Sequence, residues 1–166
     1  MFPDGKSSFI RRFEESASLS IEENRRILSD LHAALNKRDL DKTMSLFADD
    51  ASLIVMPGGT CYTKVEIGKY FDKIMKTYEK FTLRDIHPPV VSGQMATHEF
   101  MYDVKLKSGP EGSVPAVVVA EFRDRKITQI RLYVDKLEAA KQLATGIIAR
   151  RVVGSVAKRA EAMVNP

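Results

Sequence analysis

His98 and Tyr102 are the residues of this chain whose type and placement best suit chemistry. They lie four residues apart in 94–107, a stretch of alternating polar and apolar residues. In a strand, residues i and i+2 share a face, and Thr97, Glu99, Asp103 and Lys105 are polar, so Ala96, His98, Phe100, Tyr102 and Val104 fall on the inward side. Burial disfavours the charged imidazole, so His98 there suits a hydrogen-bond partner or weak general base, with Tyr102 orienting a polar group. The plainer alternative is a core histidine bonded to a backbone carbonyl and a tyrosine whose hydroxyl reaches water. Four strand residues span roughly 13 Å, so the two mark different depths, and a molecule touching both would be elongated. Cys61 and Tyr62 follow Pro57-Gly58-Gly59, where Cys61 offers a thiol and Tyr62 a lid. There is no Gly-rich phosphate loop, CxxC pair, His-x-x-x-His spacing or GxSxG elbow, so neither a metal nor a cofactor is expected.

A single core must position these residues. A chain of 166 residues is the size of one domain, and 44% hydrophobic with 29% charged residues is an ordinary globular composition. One cysteine allows no internal disulfide, and charged residues rather than an apolar leader occupy the first twenty positions, so a soluble, cytoplasmic protein is expected. No apolar run is long enough for a membrane-spanning helix, and no membrane partner is expected. The net charge of +4 resides in residues 136–164, where Lys136, Lys141, Arg150, Arg151, Lys158 and Arg159 face only Glu138 and Glu161. That is a basic tail on a neutral domain, which argues against a nucleic-acid groove.

Ser20-Ile-Glu-Glu23 reads as a capping box opening a first helix with Ile27, Leu28, Leu31, Ala34 and Leu35 at helical spacing. Asp41 is the expected cap of a short helix carrying Met44 and Phe47, followed by a strand at Ala51–Met56. Thr63-Lys-Val-Glu66 repeats the capping-box pattern before a third helix. Strands are then expected at 81–91, 94–107, 114–123 and 127–135, with a tight turn at Asp124-Arg125 and a helix over 136–164 weakened by Gly146 and Gly154. Helices followed by a strand meander give an α+β fold. Alternation adds Leu53, Val55, Ala116, Val118, Ala120, Phe122, Ile130, Leu132 and Val134 to the inward face. Val117, Val119 and Met101 fall outside, where apolar side chains need cover.

Residues 33–59, AALNKRDLDKTMSLFADDASLIVMPGG, with YTKVEIGKYF at 62–71 and EFRDRKITQIRLYVDKLEAAKQL at 121–143, resemble ketosteroid isomerases and SnoaL-like polyketide cyclases of the nuclear transport factor 2-like superfamily. The resemblance implies a cone: a curved, mainly antiparallel sheet with three N-terminal helices enclosing an apolar pocket, plus a C-terminal helix. It divides the chain into an N-terminal arm (1–19), the domain (20–143) and a basic helical extension (144–166). It also implies catalytic carboxylates that this chain lacks. The isomerase's strand aspartate matches Val55, its oxyanion tyrosine Leu31, its second acid Val118 or Ala120, and the cyclase aspartate Leu132. Replacing those carboxylates with Leu and Val removes the acid–base catalysis they would supply and leaves a drier pocket. The expected pocket is lined by Leu31, Leu53, Val55, Tyr62, Phe100, Val118, Ala120, Ile130, Leu132 and Val134, with His98 and Tyr102 as its polar or catalytic groups. The expected ligand is a small hydrophobic or polyaromatic molecule, handled by cyclase-like or isomerase-like chemistry if any. Arg131, Tyr133 and Asp135 read as a surface or interface cluster, and relatives imply a homodimer through that outer face. The alternative is a non-catalytic dimeric interaction module whose pocket its own side chains fill.

Overall fold

A computed structural model describes residues 8–107 and 109–164. Helix α1 (Ser8–Asn36) and α2 (Leu40–Ser45) lead into strands β1 (Phe47–Met56) and β2 (Thr60–Thr63), then α3 (Lys64–Thr77). Strands β3 (Tyr78–Asp85), β4 (Val90–Ser92), β5 (Met95–Leu106), β6 (Glu111–Arg123) and β7 (Lys126–Val134) follow, then α4 (Lys136–Leu143) and α5 (Ile147–Val164). The α+β architecture is as expected. The sheet runs β2-β1-β7-β6-β5-β3, with β4 also on β5, and every pairing is antiparallel except β1 with β7.

The expected cone is corrected: the sheet is open and not strongly curled. Closure would require its end strands β2 and β3 to pair. The outer edge of β3 is instead taken by α1, whose Asn36 side chain accepts from Leu83 N–H at 2.7 Å and donates to Leu83 C=O at 3.0 Å, as a neighbouring strand would. Arg38, at the end of the same helix with φ +56°, donates to the carbonyls of Met75 and Tyr78 at 3.1 and 3.0 Å and fixes the α3–β3 junction.

Strand alternation sets the core. Along β5, Ala96, His98, Phe100 and Val104 are buried, along β6 Val114, Ala116, Val118, Ala120 and Phe122, and along β7 Ile127, Ile130 and Leu132. Against them pack Ile27, Leu28, Leu31 and Leu35 of α1 and Ile67, Phe71 and Met75 of α3. Burial at about 25 cal/mol per Å² of apolar surface is what holds the helices to the sheet.

Five local expectations change. The strand expected at 81–91 is two, β3 and β4, parted by the segment that carries Pro88-Pro89. Helix α1 begins at Ser8, so Ser20 lies inside it. Asp39, not Asp41, caps α2, accepting from Lys42 N–H at 2.8 Å. Phe47 opens β1 rather than ending a helix. The C-terminal helix is broken between α4 and α5, where Gly146 takes φ +84°. The Asp124-Arg125 turn is as expected, with φ of +51° and +61° matching the handedness of a two-residue hairpin. Helix α4 is pinned to β6 by Gln142, which accepts from Ser113 N–H at 2.7 Å and donates to Ser113 C=O at 3.0 Å.

Candidate functional site

Two features of the covered face carry chemistry, and they are separate. The first is a cluster that the sequence reading found only in part. His98 stands on β5. Asp85 ends β3, whose inward series Phe81, Leu83, Asp85 pairs with β5 through Asp85 opposite Phe100, making Asp85 and His98 diagonal neighbours on one face. His32 descends from α1 within the stripe formed by Leu28, Leu31 and Leu35. Its ring stacks on His98 with centroids 4.6 Å apart and meets the edge of Phe100 at 4.8 Å. His32 Nδ1 lies 3.1 Å from Asp85 Oδ1, and His98 Nε2 3.5 Å from the same oxygen. Both rings are buried, at 5% and 2% exposure, while the Asp85 side chain reaches solvent.

Burial, and secondarily the neighbouring His98, pushes His32 down to about 4, with the Asp85 hydrogen bond opposing. Burial also lowers His98, with the Asp85 carboxylate partly offsetting it. Both imidazoles are therefore neutral at physiological pH. The backbone-carbonyl partner expected for a core His98 is present only weakly: the His87 backbone acts on the ring and favours its charged form, but neither ring nitrogen closes a well-formed hydrogen bond.

The second feature is a cavity of about 110 Å³ between α3, the sheet and α4, lined by Tyr70, Ile74, Tyr78, Phe81, Tyr102, Val104, Val114, Val134, Ala139 and Leu143. Tyr70, Ile74 and Tyr78 also wall an outer groove with Tyr62, Glu66, Lys69 and Lys73, so cavity and groove adjoin. Burial holds the Tyr102 hydroxyl well above the ordinary phenol range and pushes Tyr70 up to about 12, so both are hydrogen-bonding phenols, not bases.

Of the expected pocket residues, Tyr102 and Val134 line this cavity and Tyr62 the groove. Leu31, Leu53, Val55, Phe100, Val118, Ala120, Ile130 and Leu132 lie in the packed core and do not border it. His98 does not border it either. Phe100 stands between, 5.8 Å from His98 and 5.0 Å from Tyr102 by ring centroids. The Cys61 side chain lies outside the described residues. The outer trio is not a unit: Arg131 pairs with Glu121 at 2.7 Å, Asp135 caps α4 by accepting from Glu138 N–H at 2.8 Å, and Tyr133 is exposed.

The model of the SnoaL-like domain family matches residues 28–130, which span α1 to β7. The chain belongs to this family. Among solved structures, one similar in fold is a candidate polyketide cyclase from Xanthomonas campestris pv. campestris, 17% identical, with a TM-score of 0.70 over 75% of this chain and 99% of that one. A ketosteroid isomerase-like protein from Catenulispora acidiphila, in complex with trimethylamine, is 20% identical with a TM-score of 0.65 over 70% and 90%. TerC, co-crystallized with polyporic acid, is 15% identical with a TM-score of 0.65 over 72% and 97%. No curated protein matches. At these identities the SnoaL-like fold is what is shared. Among the described residues no helix is long and apolar enough to cross a membrane.

Proposed function

We propose that this SnoaL-like chain binds a small apolar molecule in the cavity between α3, the sheet and α4. The supporting observation is the lining: aliphatic side chains and four aromatic rings, the half-buried Tyr102 among them. Such a surface favours hydrocarbon, with one phenol to fix its orientation. Two similar structures hold small organic molecules, trimethylamine in one and polyporic acid in the other. Size sets the ligand class. At about 110 Å³ the cavity is well below the ~300–1,000 Å³ of most ligand pockets, so it takes a body the size of one ring. A larger polyaromatic molecule would extend past Tyr70 and Tyr78 into the groove, where Lys69 and Lys73 meet a polar substituent.

Cyclase-like or isomerase-like turnover would need a base at the ligand. Tyr102 is a donor and His98 lies behind Phe100, so the reading is binding first. The homodimer belongs to the same proposal. Val117 and Tyr133 are exposed on the outer sheet face around a groove of about 400 Å³ that also includes Met56 and Pro115, a surface that a second copy would cover.

Native mass spectrometry for a co-purifying molecule, then thermal shift with substituted benzenes and naphthalenes, tests the binding reading. A ligand at a hundred times its dissociation constant adds about 2.7 kcal/mol of stability. Ala139→Leu, which fills the cavity from α4, should abolish that shift, and Tyr102→Phe should weaken binding by about 0.5–1.5 kcal/mol. Equal shifts in the Ala139→Leu variant would place the ligand elsewhere, and no co-purifying molecule with no shift from any compound would favour the interaction module with a self-filled pocket.

A further inference from the structure

The binding reading leaves the paired imidazoles and their carboxylate without a task. His98 Nδ1 and Nε2 are buried and neither closes a well-formed hydrogen bond, their polar neighbours being the Asp85 carboxylate, 3.5 Å from Nε2, and the His87 backbone. A buried polar group in that condition ordinarily costs stability and calls for an explanation. Here three potential ligand atoms converge from three elements, α1, β3 and β5, each supplying one, and no two are more than 4.8 Å apart.

We propose that His32 Nδ1, Asp85 Oδ1 and His98 Nε2 are the protein ligands of a divalent transition-metal ion of the zinc class. Ligands about 2.1 Å from a tetrahedral ion lie about 3.4 Å from one another. The Asp85 oxygen is already 3.1 Å from one imidazole nitrogen and 3.5 Å from the other, so two edges of the tetrahedron are near their final length. Two nitrogens and one oxygen suit zinc and its neighbours, whereas magnesium and calcium favour all-oxygen shells. One carboxylate and two neutral imidazoles leave the bound ion with a net single positive charge. Three protein ligands leave a fourth position for water or another small donor.

The backbone holds these ligands close together, and the stacked rings, with planes 25° apart, tilt toward each other to turn both lone pairs onto the ion. His98 sits in mid-strand, opposite Val118 of β6, and His32 is wedged against His98 and Phe100. Asp85, with its side chain 57% exposed, gives the ion a path from solvent. Binding moves the His32 proton from Nδ1, where it can be shared with Asp85, to Nε2, so the ring stays neutral and no proton need leave it. Asp85 then turns from hydrogen-bond acceptor to metal ligand.

Equilibrium dialysis of chelator-stripped protein against zinc chloride, read by elemental analysis, tests this. The expected result is one zinc per chain and a zinc-dependent rise in melting temperature. Asp85→Asn and His98→Gln should each weaken binding at least ~10-fold and remove the rise. Asp85 is on the surface, so Asp85→Asn keeps the test valid even if a histidine variant fails to fold. No zinc near stoichiometry in the unmodified protein, or unmodified affinity in Asp85→Asn, overturns the proposal. The cavity supplies no ligand, so Ala139→Leu should bind zinc normally; this separates the site from the small-molecule reading.

Discussion

His98 costs the metal-free protein stability, because its ring has given up water for no more than a 3.5 Å approach to Asp85 and a weak contact with the His87 backbone. His98→Leu should therefore raise the metal-free stability by about 1–3 kcal/mol in urea denaturation while removing the response to zinc. A variant less stable than the original would mean that the imidazole is satisfied in solution. The pH dependence has a defined sign. His32 is pushed from its ordinary 6.5 to about 4, so between those values the unfolded chain binds more protons than the folded one. Its contribution is complete above pH 6.5 and is lost as pH falls toward 4. Denaturation with a chelator present should show this loss, and His32→Gln should flatten it; an equal loss in that variant would assign the window to other groups. The site was legible only in part. Strand alternation places His98 on the inner face, and the same alternation extended from Phe81 and Leu83 would have added Asp85. His32 could be suspected from its place in the apolar stripe of α1, but it lies 53 positions from Asp85, and nothing local in a sequence announces a contact of that span.

Elements were legible where their signals are local. Thr63 and Glu66 start α3 as read, with the Glu66 carboxylate accepting from Thr63 N–H at 2.8 Å and from its hydroxyl at 3.0 Å. The same pattern at Ser20 starts nothing, because a capping box stops a helix only if the preceding residues turn away, and these continue it. The short β2 was missed since its four residues follow a Pro-Gly-Gly turn and have little periodicity to read. Two predictions belong here. Arg125 holds φ +61°, a conformation that costs a side-chain-bearing residue roughly 1–2 kcal/mol, and its ion pair with Glu23 is exposed. Arg125→Gly should thus stabilise the hairpin by about 1 kcal/mol in thermal or urea denaturation. Gly112 is tied to the opposite outcome: a Cβ there would lie 2.5 Å from Gln142 Oε1. Gly112→Ala should displace α4 and destabilise by roughly 1–3 kcal/mol, with faster amide exchange over residues 136–143.

At the scale of the whole molecule, the resemblance to the SnoaL-like family identified the α+β order, and the curvature did not follow from it, because whether a sheet closes depends on what occupies its edges. The outer face gives the prediction for assembly. Val117→Glu should convert a sedimenting dimer to monomer without altering the melting of the monomer, since Val117 points away from the core; a monomeric unmodified protein at tens of micromolar, on the order of working concentrations for weak dimers, would remove the dimer from the proposal. The occupied edge of β3 also bears on how the chain avoids polymerising. An open sheet offers two rims onto which another strand can add, and the longer of the end strands here, β3, has its rim plugged at Leu83 by a single amide side chain from α1. Asn36 is thus a one-residue counterfeit strand: it satisfies the donor and the acceptor that would otherwise template fibrillar growth, and it leaves the sheet's other end to a strand of only four residues, β2.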